Sequence, residues 1–306
     1  MRIVVAGSTG LVGTALVTAL TTAGHDVHRL VRRAPSNPDE IGWDPDAGRL
    51  DPHDLDGTQA VVNLAGAGVG DHRLTAAYRQ TVLTSRTRTT SLIAETIADL
   101  ATPPSVLLQA SAVGAYGTYA GRGHQVLDES APLGDTFLAD VVRAWEASTA
   151  AASDAGIRVA HLRSGIVLAP SGGALGRLLP IVRAGVGGPL GSGEQYWSWI
   201  ALTDEVRAIV HLLDAAVRGP VNLTTQHPAT NAEITRSLAR AVRRPAFVRV
   251  PAFAVRLALG EFAQEVLGSI RAMPSALAGS GFTWTCPGVS DAAAWVTQRG
   301  ITPRAR

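Results

Sequence analysis

Lysine is absent from this chain of 306 residues, so all 27 basic side chains are arginine. A Walker-type phosphate loop needs a lysine, which leaves nucleotide hydrolysis by that route unsupported. Cysteine is nearly absent. The single Cys286 can form no disulfide within the chain and no Cys-rich metal site, as suits a reducing compartment. Long apolar runs are missing as well. The opening stretch Ile3 to Ala6 is too short for a secretory signal, and no segment approaches the ~18 uninterrupted apolar residues of a membrane helix. The most apolar later stretch, Pro251 to Leu259, is interrupted by Arg256. We therefore expect a cytoplasmic protein with no membrane partner. Charged residues are sparse at 17 %, below the usual figure of roughly a quarter. The net charge is only +2, and no arginine run marks a nucleic-acid groove, so we expect no nucleic-acid partner. The eight histidines show no paired ligand spacing, and we expect no metal.

What is present is apolar sequence, 46 % of the chain, enough to bury a sizeable core. Ile3 to Ala6 is a short apolar run of the kind found in strands covered on both faces. Val12, Ala15, Leu16, Ala19, Leu20 and Ala23 then recur with helical spacing. His25–Val31, Ala60–Leu64, Val106–Ala110 and Ile157–Leu162 read as further strands. Tyr78–Leu100 and Phe137–Ala155 read as helices, stopped by Pro103-Pro104 and by Gly156. Strands alternating with helices predict an α/β fold with a doubly wound parallel sheet and right-handed crossovers. Residues 170–193 are rich in Gly and Pro and read as loop plus one helix. Asp204–Ala216 is helical, Pro220–Leu223 is a strand, and the chain from Asn231 is mostly helical. We expect a nucleotide-binding domain over 1–227, with about 165–195 contributing to a substrate cleft, and a small helical C-terminal domain over 228–306.

The turn Gly7-Ser8-Thr9-Gly10-Leu11-Val12-Gly13 lies between the first strand and the first helix. In a dinucleotide site of the Rossmann type one glycine permits the tight turn. The second lets backbone approach the pyrophosphate, and the third lets the helix pack close to the sheet. The helix N-terminus then offers free N–H groups to the phosphates. Gly7, Thr9, Gly10, Leu11, Val12 and Gly13 are thus candidate cofactor residues. The second strand ends in Arg32-Arg33, where an NAD site usually carries an acid and an NADP site an arginine for the 2′-phosphate. The pair favours NADP(H); two solvated arginines at a strand end are the alternative.

These stretches, with Asn63-Leu64-Ala65-Gly66, Ser111-Ala112-Val113-Gly114-Ala115-Tyr116-Gly117 and Ser198 to Asp204, resemble an extended short-chain dehydrogenase/reductase. More narrowly, the chain is similar to an atypical NAD(P)-dependent, nucleoside-diphosphate-sugar epimerase-like branch with a small uncharacterised C-terminal domain. Leu162–Leu168, Gly187–Gly193 and Val250–Glu261 carry that likeness. The resemblance implies that Leu64, Ala65 and Val167 lie against the cofactor and that Arg86 faces it from the long helix. Surface solvation of Arg86 is an equal reading of the residues alone.

The chemistry departs from the family pattern. Its usual members use Ser, Tyr and a Lys four residues after the Tyr, which lowers the phenol pKa. With the helix placed by Trp145-Glu146, the Tyr position falls on Leu138 and the Lys position on Val142. Ser111 remains as a donor to a substrate oxygen, with a local backbone contact as the rival role. Tyr116 is a weaker candidate, because an unaided phenol with a pKa near ~10 is a poor base. Asp128-Glu129, the Asp140/Arg143 pair, His161, Trp197 and Trp199 fit loop, helix-surface and core roles better than catalytic ones. Two functions follow: an NADP(H)-dependent oxidoreductase or epimerase-like enzyme acting on a small molecule, as monomer or homodimer, or a non-catalytic NADP(H)-binding or redox-sensing protein.

Overall fold

A computed structural model describes residues 1–118 and 124–298. The elements of the first half are β1 (Arg2–Ala6), α1 (Leu11–Thr22), β2 (Asp26–Val31), β3 (Glu40–Gly42), β4 (Ala60–Asn63), α2 (Ala76–Ala98), β5 (Val106–Ala112), β6 (Val126–Leu127), α3 (Phe137–Ala147) and α4 (Ala150–Asp154). Then follow β7 (Arg158–Ser164), β8 (Ile166–Leu168), α5 (Gly173–Arg183), β9 (Tyr196–Trp197), β10 (Trp199–Ala201), α6 (Leu202–Asp214) and β11 (Gly219–Leu223). The C-terminal part holds β12 (Ala229–Thr230), α7 (Asn231–Ala241), α8 (Ala252–Leu259), α9 (Ala263–Leu267), β13 (Arg271–Ala272), α10 (Ser275–Gly279) and α11 (Val289–Gln298). Residues 299–306, which the sequence assigns to the C-terminal domain, lie outside the described residues.

Seven strands form one parallel sheet in the order β11-β7-β5-β4-β1-β2-β3. The alternation of β1 shows how it is sandwiched. Ile3 and Val5 join Leu16, Leu20, Ile209 and Leu212 on one face, while Val4 and Ala6 join Ile93 and Ile97 on the other. Both faces are apolar, as a parallel sheet covered by two helix layers requires. The chain builds β1, β2 and β3 outward in one direction and then crosses back to place β4 on the other side of β1. The switch point between β1 and β4 is where such sheets open a crevice at their carboxyl ends. This is the doubly wound α/β architecture expected from the sequence.

Two details differ from the sequence reading. The helix expected from Phe137 to Ala155 is broken into α3 and α4. The Thr149 hydroxyl donates to Glu146 O at 2.8 Å and lies 3.0 Å from His161 Nε2. A hydroxyl bonding back to the preceding turn competes with the helical ladder. The C-terminal part is also stitched to the rest by strands that the sequence does not signal: β12 pairs with β9, and β13 with β6. Asp204 on α6 adds a further tie, accepting from the amides of Thr285 at 2.9 Å and Cys286 at 2.8 Å.

Candidate cofactor and active site

The glycine turn sits at the switch point. Gly7 has φ +74°, a conformation costly for any side chain, and a Cβ there would lie 2.6 Å from the Leu64 carbonyl. A Cβ on Gly13 would lie 2.2 Å from Gly7 O, so α1 can pack this close only with glycine. Gly10 is the N-cap of α1 and supplies no side-chain cap, leaving first-turn N–H groups for a ligand. The adjoining loop after β4 is held by a buried amide. Asn63 Oδ1 accepts from Ala65 N at 3.0 Å, and Asn63 Nδ2 donates to Gln109 Oε1 at 2.9 Å. Val12, Leu64 and Val167, three of the sequence candidates, pack half-buried against one apolar cluster. Thr9 is exposed beside them.

Arg32 and Arg33 occupy different environments. Arg33 donates from Nη1 and Nη2 to Glu40 at 2.8 and 2.6 Å. The Glu40 side chain is buried, and the Arg33 bond, supported by the Ser36 amide, holds its carboxyl down at about 2. Arg29 also reaches the same carboxylate, at 3.3 Å. Arg32 is exposed at the end of the same strand, and no ion pair of the described residues engages it.

Arg86 is buried on α2. It donates to Val82 O at 2.9 Å and lies 4.8 Å from the Trp145 ring centroid. A Cβ on Gly66 would touch its Cγ at 3.3 Å, which places it behind the loop after β4. Burial lowers its pKa to about 10, and no carboxylate among the described residues pairs with it. A buried guanidinium without a counter-ion is costly, and an anionic ligand would relieve that cost. Two turns earlier on α2, Tyr78 is half-buried, and its hydroxyl donates to Gly68 O at 2.5 Å. Burial and Asp71 raise this phenol, whereas the Arg86 charge opposes the rise. Tyr78 packs with Val141, Phe137 and Phe262, between the two parts of the chain.

Ser111 and Tyr116, the sequence's catalytic candidates, meet in a buried polar network. Ser111 Oγ donates to Glu146 Oε1 at 2.6 Å. Arg163 grips Glu146 with two bonds of 2.8 Å and donates from Nη1 to the Tyr116 hydroxyl at 3.2 Å. The Tyr116 hydroxyl donates in turn to Asn222 Oδ1 at 2.8 Å. Burial pushes the Glu146 carboxyl up, but Arg163 and Ser111 more than offset this and hold it below its ordinary value. Tyr116 is fully enclosed, and burial raises its phenol. The geometry thus commits both hydroxyls to protein partners. Leu138 and Val142 lie on α3, and Val142 is buried.

Glu146, which serves in the sequence only to place the helix, is thus the centre of the network. The sequence does not single out Tyr78, Asn222 or Glu205 either. Glu205 carries no local signal, since it reads as the acidic start of a helix. In the fold it is wholly buried on α6, accepting the Ser164 hydroxyl at 2.5 Å, and its second oxygen has no partner among the described residues. Burial raises its pKa to about 8, above the unfolded value, so the folded state binds the extra proton. Stability is then greatest below the unfolded pKa and falls as pH rises from about 4.5 to about 8, by about 3 kcal/mol at pH 7. We expect Glu205→Gln to melt higher than the parent at pH 8 and to lose most of this pH slope. Identical melting profiles from pH 5 to 8 would show that the carboxyl is not held neutral.

The remaining candidates are engaged by protein partners, and Glu129, expected as a solvated loop residue, is tied to strand β11 instead. Asp128 accepts from Ser130, Glu129 from the Asn222 amide, and Asp140 from Arg143. Trp197 and Trp199 are buried. Among the described residues, no group of three His, Cys, Asp or Glu side chains is arranged to hold a metal.

A family model described as the NAD dependent epimerase/dehydratase family matches residues 3–224. The chain belongs to this family. A second model, a domain of unknown function designated DUF1731, matches residues 250–296. The epimerase family protein Mb2239 of Mycobacterium bovis is 44 % identical over 299 residues, covering 97 % of this chain and 98 % of that one. The structure of the human epimerase family protein SDR39U1, solved with NADPH, superposes with a TM-score of 0.88 at 32 % identity. That match covers 97 % of this chain and 99 % of the human one. A nucleoside-diphosphate sugar epimerase from Corynebacterium glutamicum gives a TM-score of 0.80 at 34 % identity, covering 97 % of this chain and 58 % of that one. The family carries its DUF1731 segment here over α8 to α11.

Proposed function

We propose that the chain binds NADP(H) and exchanges hydride with a carbonyl or carbinol of a small molecule in the cleft between residues 1–227 and 228–306. The observation that carries the reading is the glycine turn at the switch point, where Gly7 and Gly13 leave no room for a Cβ against Leu64 and the turn itself, and Gly10 leaves the first N–H groups of α1 uncapped. The human relative solved with NADPH supports the choice of nucleotide. When bound, the cofactor supplies the hydride-transfer chemistry. The turn residues Gly7 to Gly13 would hold the pyrophosphate, Arg32 the 2′-phosphate, and Arg86 a further negative charge beside the loop after β4. Leu64, Ala65 and Val167 would flank the cofactor.

The proton that accompanies hydride transfer needs a source other than Leu138 and Val142. Tyr78 on α2 is the candidate we favour: its hydroxyl, which donates to Gly68 O, would have to turn to the substrate, and the Arg86 cation works against the rise that burial and Asp71 cause. Ser111 and Tyr116 act as positioning residues through Glu146 and Arg163. A second reading rests on the same apolar Leu138/Val142 pair: the protein binds NADP(H) without turnover. Both readings are tested by following NADPH oxidation against a panel of carbonyl compounds and nucleotide sugars, alongside melting temperature with and without NADPH. The enzyme reading expects turnover that Tyr78→Phe lowers at least tenfold while NADPH affinity holds. Strong NADPH stabilisation with no turnover across the panel would favour the non-catalytic reading. Turnover unchanged in Tyr78→Phe would remove that tyrosine from the chemistry.

A further inference from the structure

Residues 171–193 and 241–260 contain six arginines and no aspartate or glutamate. They are far apart in sequence, so each alone reads as ordinary solvated chain. The fold joins them. Val250 N donates to Pro189 O at 2.9 Å, Gly191 N donates to Val250 O at 2.8 Å, and Leu190 and Val250 form a β-bridge. The pairing brings the end of α5 and the start of α8 to either side of Leu190 and Val250.

This region carries apolar side chains that the core does not take up. Among the described residues, seven large apolar side chains are exposed, and six of them lie here. Phe247 is 80 % exposed, Phe253 71 % and Leu257 78 %, with Ile181, Val186 and Val248 beside them. On α8, Val255 points inward, whereas Phe253, Arg256 and Leu257 share the outer face at helical spacing. Arg183, Arg243, Arg244, Arg249 and Arg256 are all exposed, and the ion pairs of the described residues involve none of them.

Exposed aromatic and aliphatic side chains ringed by unpaired arginines have a specific physical meaning. The apolar groups gain by leaving water, and the guanidinium groups gain only against negative charge. A second copy meeting this face across a two-fold axis would bring like charges together. A bilayer bearing anionic headgroups satisfies both demands at once. Its phosphates meet the arginines, and Phe253, Leu257 and Phe247 enter the boundary with the acyl chains. We propose that the α5–α8 face docks the protein reversibly on an anionic lipid surface. Among the described residues no helix is long and apolar enough to cross a membrane, so the contact, which goes against the expectation of no membrane partner, is peripheral. The start of α5 touches Leu11 of the glycine turn, so the face adjoins the nucleotide site, but vesicle binding is read without the proposed reaction.

The test is co-flotation of the full chain with vesicles of phosphatidylcholine containing phosphatidylglycerol, against phosphatidylcholine alone, at about 150 mM salt. Binding to the anionic vesicles only is expected. Phe253→Ser with Leu257→Ser should abolish it, and Arg249→Gln with Arg256→Gln should weaken it by about fivefold per arginine. These positions are exposed, and unchanged melting temperatures will show that the variants fold. No binding by the folded parent, equal binding to neutral vesicles, or variants that bind like the parent would each overturn the proposal. So would a dimer in sedimentation that Phe253→Ser dissociates, or a short DNA duplex that binds this face when vesicles do not.

Discussion

Replacing Arg163 by methionine is expected to destabilise the protein by about 3–5 kcal/mol, because it leaves the Glu146 carboxylate buried without its cation. Both side chains are almost wholly enclosed, and the guanidinium makes two parallel 2.8 Å bonds to the carboxylate. The same substitution removes one of the two bonds of the Tyr116 hydroxyl, leaving only that to Asn222. The sign of the pH dependence separates loss of a charge partner from simple loss of packing. In the parent, the Glu146 carboxyl lies below its ordinary value, so its contribution is present above the unfolded pKa and is lost as the solution is acidified below it. Without Arg163, burial alone acts and raises that pKa. The penalty of the variant should then shrink as pH falls towards about 4.5 and be largest near neutrality. Adding Glu146→Gln to Arg163→Met should recover part of the loss, since no buried charge then remains. Chemical denaturation of the parent and the two variants at pH 5 and pH 7.5 checks this. A penalty independent of pH, with no recovery in the double variant, would mean that the network holds no ionised carboxylate.

The second large effect is on cofactor choice. Removing the Arg32 guanidinium should cost NADPH affinity by roughly tenfold to a hundredfold, the value of a charge-assisted contact to a phosphate, and leave NADH affinity nearly unchanged. Arg33→Ala should behave otherwise. Its fork is held by Glu40, so its removal leaves that buried carboxylate with only the Arg29 contact at 3.3 Å and the Ser36 bonds to offset its charge. The freed charge should weaken NADPH binding by repulsion and lower the melting temperature, whereas Arg32→Ala should leave melting unchanged. Adding Glu40→Gln to Arg33→Ala should restore NADPH affinity in part. Calorimetric titration of the three variants with both nucleotides reads this directly. Equal losses for NADPH and NADH in Arg32→Ala would remove that arginine from 2′-phosphate recognition.

How much of this was legible beforehand depends on the range of the interactions. The strands β1, β4, β5 and β7 are apolar because both faces are covered, and that pattern is local, so the sheet could be read from the chain. The glycine turn was legible for the same reason: three glycines at fixed spacing satisfy steric demands within a few residues of themselves and of Leu64. The break at Thr149 was not, because it turns on where one hydroxyl bonds. The Ser111–Glu146–Arg163–Tyr116–Asn222 network was hidden since its members come from four segments, and a hydroxyl in sequence looks the same free or engaged. Arg32 and Arg33 read as equivalent until Glu40 on β3 was seen to take one of them. Glu205 shows the converse, a residue with the sequence appearance of a surface helix start that the α6 packing encloses completely. The arginine and phenylalanine face of α5 to α8 was likewise split between two segments with nothing local to join them.

The central claim is that the cradle at the β1/β4 switch point accepts NADP(H) in preference to NAD(H). Its most direct test is a calorimetric titration of the unmodified protein with NADPH and, in parallel, with NADH. The account predicts one site per chain with micromolar NADPH affinity and NADH binding weaker by at least tenfold. Binding of NADH as tight as NADPH would contradict the role given to Arg32, and no binding of either nucleotide would contradict the cradle itself.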